Sequence, residues 1–174
     1  MKKNKGFSLV ELIIVIAIMA ILAAAIAPAL IRYIDKSRRA DDVTAAGTIN
    51  SSMSAALANE DIYDEIFKLT AGKIVMIGAQ NSGSWTVDNT CGGNSSALKK
   101  EMDSSCPPPA LKYKKAVKSA DTYTGKNFTP KNWYVAVSEE GKPLVYVGDS
   151  GTSGQDITGV NGVQLQPSID KSYK

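Results

Sequence analysis

Three features of this 174-residue sequence predict an α+β fold, a long N-terminal helix packed on a small antiparallel β-sheet head. The first is an unbroken apolar run from Leu12 to Ile31, entered through Gly6-Phe7-Ser8-Leu9-Val10-Glu11. The second is the three- and four-residue spacing of apolar side chains that continues after that run to Leu57. The third is a pair of aromatic and β-branched stretches, Trp133–Val137 and Leu144–Val147, around Glu139-Glu140-Gly141-Lys142, which reads as a hairpin.

The apolar run comes first in the chain. A helix over Leu12 to Ile31 spans roughly 30 Å, the thickness of a bilayer core. Glu11 lies at its entrance, where a carboxylate in lipid costs on the order of 2 to 3 kcal/mol and calls for a partner. Lys2, Lys3 and Lys5 precede Gly6, while Arg32, Lys36, Arg38 and Arg39 follow the run, so charge alone leaves its orientation open. Its length, and the basic residues rather than an Ala-x-Ala site that follow it, argue against a cleaved secretory signal.

Beyond the run, Leu30, Ile34, Val43, Ala46, Ile49, Met53, Ala56 and Leu57 mark one face of an amphipathic continuation. Arg32, Asp35, Lys36, Arg38, Arg39, Asp41 and Asp42 lie between them and read as a solvated charged belt at the membrane exit. From Ser8 to Ala58 such a helix measures about 76 Å, far beyond a bilayer. Pro28 removes one backbone donor and is expected to kink it.

Asn59 is placed to cap a second helix over 60–71, with Glu60 and Asp61 in its first turn, Ile62, Ile66 and Leu69 on one side and Gly72 as its stop. A buried strand follows at 74–77, then a turn at 82–84 and a short strand at 85–87. Residues 88–110 read as irregular, with a short helix from Ser95 or Ser96 to Met102 and a triple proline, 107–109, that no central strand admits. Lys112, Lys114, Lys115 and Lys118 surround Tyr113; a solvated face is the ordinary reading of such a run, and DNA contact the special one. The hairpin, joined by residues 74–77 or by a strand near 160–166, makes a sheet of three or four strands. Its apolar face is expected on the upper half of the long helix. Residues 148–162, rich in Gly, Ser, Thr and Asp, read as an exposed loop.

Composition excludes several function classes. The 20 basic and 17 acidic side chains become 17 against 17 once the three lysines before Gly6 are set aside, so no global charge points to nucleic acid. The chain has no histidine, which removes the usual general base, zinc ligand and pH sensor. Gly148-Asp149-Ser150-Gly151 looks like a serine-protease nucleophile segment, but there is no histidine to take the proton, and it reads as a turn. Asp149, Asp156 and Asp170 are too irregularly spaced for an EF-hand loop. No catalytic residue, metal or cofactor is expected.

Residues 1–32 resemble the precursor N-terminus of type IV pilins: a Lys-rich leader, Gly6, the run Phe7 through Ile18 with Glu11 inside it, then Ile21-Leu22-Ala23-Ala24 and Pro28. The six-residue leader and Phe7 are similar to the type IVa subclass. The resemblance implies domains at 1–6 (leader), 7–31 (transmembrane and filament-core helix), 32–58 (amphipathic helix) and 59–174 (extracellular head). It implies cleavage between Gly6 and Phe7 by a prepilin peptidase, N-methylation of Phe7, and a Glu11 that faces the N-terminal amine of a neighbouring subunit. Phe7 and Glu11 also stand i and i+4, so pairing within one subunit is open as well. Ala20 stands where the family often has Gly, which disfavours loosening of the helix upstream of Pro28.

The function so implied is a structural subunit, not an enzyme. It is a homo-oligomer in a helical filament, held in the cytoplasmic membrane before assembly and extracellular after it. Its partners are the peptidase, an inner-membrane assembly platform and a motor ATPase, with DNA or a host surface as further candidates. The competing readings are a pseudopilin of a secretion or competence machine, some of which carry calcium in the tail, and a signal-anchored surface protein that never polymerises. Outside the cell the pair Cys91 and Cys106 favours a disulfide, worth about 3 kcal/mol in the chain-entropy model; two free thiols are the alternative.

Overall fold

A computed structural model describes residues 6–70, 73–79, 83–87, 95–117, 127–150, 157 and 160–173. The chain divides into two units, Met1–Ser37 and Arg38–Lys174. Helix α1, Leu9–Ala56, supplies the first unit and the opening of the second.

In the first unit every large apolar side chain from Phe7 to Ile34 is exposed. The helix is unbroken through Pro28, whose missing N–H leaves the Ala24 carbonyl without its helical donor. Neither Leu30 nor Ile34 joins a core; both are exposed, and the buried stripe begins only further along.

In the second unit that stripe is Ala46, Ile49, Met53 and Ala56, at three- and four-residue steps, all buried in one cluster with the sheet. The helix ends as its sequence anticipates. Leu57 still donates to Met53 O at 2.9 Å, while Ala58 and Asn59 turn back to Ala55 O and Ala56 O at 3.2 Å. The Asn59 side chain then accepts Asp61 N–H at 3.1 Å and opens α2, Glu60–Thr70, with Ile62 and Ile66 buried.

Five antiparallel strands follow: β1 Ile74–Ala79, β2 Thr86–Val87, β3 Asn132–Val137, β4 Pro143–Ser150 and β5 Asn161–Gln166. Their order is β2-β1-β3-β4-β5, so both candidate third strands join the hairpin, one on each side. The β3–β4 register pairs Trp133 with Val147 and Val135 with Val145. Alternation then divides the faces. Trp133, Val135, Val137, Val145, Val147, Val163 and Leu165 meet the α1 stripe, and Tyr134, Ala136 and Tyr146 face the other way.

That second face is also covered, which corrects the exposed-loop reading for 148–150, 157 and 160–162; residues 151–156, 158 and 159 lie outside the described residues. Ile157 and Val160 are buried against Ile74, Tyr134, Ala136 and Tyr146. β4 runs on through Ser150, and Gly148 lies opposite Gly162 inside the sheet. The two strands approach closely there: a Cβ on Gly148 would stand 2.5 Å from Asn161 O, and one on Gly162 would stand 2.4 Å from Val147 O. The Gly-Asp-Ser stretch is therefore strand up to Ser150, not turn, because backbone crowding rather than flexibility selects its glycine.

Helix α3, Ser95–Ser105, runs a turn past its expected end at Met102. Asp103 fastens it to β2: it accepts Trp85 N–H at 2.7 Å and the Ser84 hydroxyl at 2.8 Å, and pairs with Lys99. Burial alone would raise the Asp103 pKa, but the Lys99, Trp85 and Ser84 donors outweigh it and hold the carboxyl below its usual value. The triple proline lies outside the sheet, as expected. Both tryptophans satisfy carbonyls at its ends, Trp85 Nε1 donating to Cys106 O and Trp133 Nε1 to Pro109 O, each at 2.7 Å. Gly78 makes room for this layer, since a Cβ there would stand 2.8 Å from both Pro108 Cβ and the Trp85 ring.

Candidate processing and assembly site

Gly6, Phe7 and Ser8 precede the helix in non-helical backbone, and Phe7 is 93% exposed. A Cβ at Gly6 would meet nothing within 4 Å, so packing does not demand a glycine there. The Gly6–Phe7 bond is thus an accessible, unfolded peptide immediately in front of a helix. Ser8 is the N-cap, and the first helical hydrogen bond is Leu12 N–H to Ser8 O at 3.2 Å.

Glu11 has a local partner. Its Oε2 accepts the Ser8 backbone N–H at 2.8 Å, the reach-back half of a capping box. The Ser8-x-x-Glu11 spacing signals this cap, whereas the family resemblance turns Glu11 toward Phe7. The amine expected to face Glu11 exists only after cleavage. In the uncut chain the carboxylate satisfies the next amide along and sits favourably at the positive end of the helix.

From Leu12 to Ile31 the helix is apolar and exposed, and the helix is long and apolar enough to cross a membrane. Among the described residues no group of His, Cys, Asp or Glu is arranged to hold a metal ion. Cys106 is a free, buried thiol at the end of α3. Burial pushes its pKa up against an opposing Ser52 hydroxyl. Cys91 lies outside the described residues, and Lys118 does too.

The charged belt is not uniformly solvated, contrary to the expectation from sequence. Asp42 is 1% exposed. Its carboxylate accepts Lys112 N–H at 2.7 Å, Tyr113 N–H at 3.0 Å and the Tyr173 hydroxyl at 2.8 Å. Arg39 is half-buried: its guanidinium lies 4.3 Å from the Tyr113 ring centroid, and Nη2 donates to Tyr113 Oη at 2.6 Å. Tyr113 and Tyr173 meet edge to face at 5.9 Å. Burial raises the Asp42 carboxyl above its ordinary range even against these donors, and burial together with the Asp42 charge pushes Tyr173 far up. A signal was present: Asp42, Ala46, Ile49 and Met53 follow the steps of the buried stripe, so the helix phase already turns Asp42 inward.

Residues 1–27 match the family model described as the prokaryotic N-terminal methylation motif. The chain is 34% identical over 87 residues to the type IV major fimbrial protein FimA of Dichelobacter nodosus, a match covering 50% of this chain and 54% of that protein. The chain thus spans about half the length of the curated relative it matches. No solved structure matches it significantly. The methylation motif, the similarity to a major fimbrial protein and the long apolar helix that opens an α+β chain are features this chain has in common with type IV pilins.

Proposed function

We propose that the chain is a prepilin that loses residues 1–6, is N-methylated on Phe7, and polymerises into an extracellular type IV filament. The observation that carries this reading is the accessible Gly6–Phe7 bond directly ahead of a helix whose apolar side chains are exposed from Leu9 to Ile34. A surface of that kind needs lipid or copies of itself. Before assembly residues 7–31 sit in the cytoplasmic membrane; afterwards they pack among identical helices, with residues 32–58 carrying the head at 59–174. Lipid and helices are about equally apolar, so extraction gains little from the hydrophobic effect and draws on an assembly platform and motor ATPase. Glu11 exchanges its Ser8 cap for the Phe7 amine of a neighbour, which offsets the desolvation of both charges. The roles the resemblance implies for such a filament are adhesion, twitching motility and DNA uptake.

The deciding experiment is intact mass with N-terminal sequencing of protein sheared from cells, set against protein left in membranes. A sheared species beginning at methylated Phe7 is expected. A chain beginning at Met1 and confined to membranes would overturn the reading and leave a signal-anchored surface protein.

A further inference from the structure

In the second unit, the buried Asp42 carboxylate pins a basic segment to α1. It accepts the Lys112 and Tyr113 amides at 2.7 and 3.0 Å, and Arg39 donates to Tyr113 Oη. Burial alternates along this segment: Leu111 and Tyr113 are buried, Lys112 and Lys114 exposed. Successive side chains of an extended backbone leave on opposite sides, so both ammonium groups emerge outward from backbone fixed to the helix. Val117 N–H donates to Phe128 O at 2.8 Å and holds the far end of the segment. The exposed Arg38 stands one turn before Asp42 on α1.

The charge balance here is positive with every acid included. Between residues 32 and 42, α1 carries four basic side chains and three acidic ones, Asp35, Asp41 and Asp42. Residues 104–117 add three lysines and no acid, which leaves four positive charges in excess. The turn Lys171–Tyr173, whose Tyr173 bonds Asp42, brings Lys171 and the neighbouring Asp170, one of each sign. Arg39, Lys115 and Asp35 have interactions of their own. Among the described residues of the second unit, the basic side chains this face leaves for a partner are therefore Arg38, Lys112 and Lys114.

Chain continuity decides what these charges meet. Arg38 follows Ile34, the last of the exposed large apolar side chains, by four residues. It stays within about 14 Å of the apolar helix whatever the backbone does between them. Tyr33, 73% exposed just past the apolar run, is of the type that settles at headgroup level. A face tethered this closely to a membrane meets the lipid surface at high effective concentration and needs little affinity of its own. DNA has no such tether, and three side chains release too few counterions to hold a duplex at physiological salt. Among the described residues no large apolar side chain is exposed after Ile34, so the head offers a partner charge rather than apolar surface.

We propose that the Arg38/Lys112/Lys114 face binds anionic phospholipid headgroups while the chain is held in the membrane. The Arg38 guanidinium fork matches the oxygens of a phosphodiester, and the two lysines act as point charges beside it. Each basic side chain at an anionic surface is worth on the order of fivefold in binding. The contact holds the head against the leaflet and is given up when the apolar helix leaves lipid, so the anionic lipid content sets part of the work of extraction. This inference rests on the membrane-held state of the reading above.

The test is amide hydrogen exchange of the full chain in nanodiscs of phosphatidylcholine, alone or mixed with phosphatidylglycerol. Peptides covering 109–117 are expected to exchange at least about fivefold more slowly beside phosphatidylglycerol. The difference is expected to vanish in K112Q/K114Q, and in about 1 M salt, where screening shortens to about 3 Å. Exchange of the 133–137 strand at the parent rate identifies a folded variant. R38Q, which leaves the basic segment untouched, is the second variant and should lose part of the slowing. Equal exchange in the two discs overturns the contact. Slowing that both variants keep in full overturns it too, since that reports nearness to the membrane alone. Slowing by duplex DNA added to phosphatidylcholine discs, with none from phosphatidylglycerol, assigns the face to nucleic acid and also overturns it. Each of these leaves the membrane-held reading standing; a chain recovered outside the discs overturns both.

Discussion

Tyr173 donates its phenolic hydrogen to the Asp42 carboxylate at 2.8 Å, tying residues 131 apart in sequence. The same carboxylate holds the backbone at 112 and 113, so one buried anion joins α1, the basic segment and the 3-10 turn Lys171–Tyr173. Replacing the hydroxyl leaves two of the three donors. Y173F is therefore expected to lower stability at pH 7 by about 1.5 to 3 kcal/mol, the range for a hydrogen bond to a charged group, measured by urea denaturation in detergent.

The pH dependence of this node has a definite sign. Burial raises the folded-state pKa of Asp42 above that of the unfolded chain. The folded protein thus holds this proton to higher pH, and the group's contribution is fully present below about 3.9 and lost as pH rises through the folded value. Protonation also weakens the demand for the Tyr173 donor. The stability gap between the parent and Y173F should narrow from pH 7 to pH 4; a gap that stays constant would mean that packing of the ring edge, not the carboxylate, sets it.

At the N-terminus, Glu11 caps Ser8 now and is proposed to meet a neighbour's amine later. Glutamine keeps a cap acceptor and removes the charge, whereas alanine removes both. Both E11A and E11Q should leave cleaved, membrane-held subunits without filaments if charge pairing drives assembly. Normal filaments from E11Q would assign the residue to capping instead.

Gly78 separates Pro108 from the Trp85 ring. A methyl group there forces one of them to move, and G78A should cost about 1 to 3 kcal/mol. W85F tests the same layer differently, leaving the Cys106 carbonyl unpaired at a comparable cost. Additivity in the double variant would place the two effects in separate layers and contradict the shared packing.

Cys106 is buried, and burial holds its thiol in the protonated, unreactive form. Maleimide should label it only after unfolding, as read by intact mass without reductant. Protein that resists labelling even when unfolded has its thiol in a disulfide, and peptide mapping would then test Cys91 as the partner.

What the sequence determined by itself is local. The Leu12–Ile31 run, the Ala46–Met53 stripe, the Asn59 cap and the 133–147 hairpin each rest on interactions within a few residues, and nearby side chains suffice to specify them. The Ser8-x-x-Glu11 cap was equally local and legible, obscured only by the stronger pull of a charge pair. What tertiary structure decided is which polar groups leave water. Asp42 looks like its exposed neighbour Asp41 until donors 70, 71 and 131 residues away close over it. The second buried face of the sheet likewise depends on Ile157 and Val160 returning to it, and the placing of the β3–β4 turn on Tyr63 lying against Gly141. Periodicity reports the phase of a side chain about its own helix or strand. Which distant segment arrives to cover that side depends on how the chain folds back, and no spacing within one element contains that information.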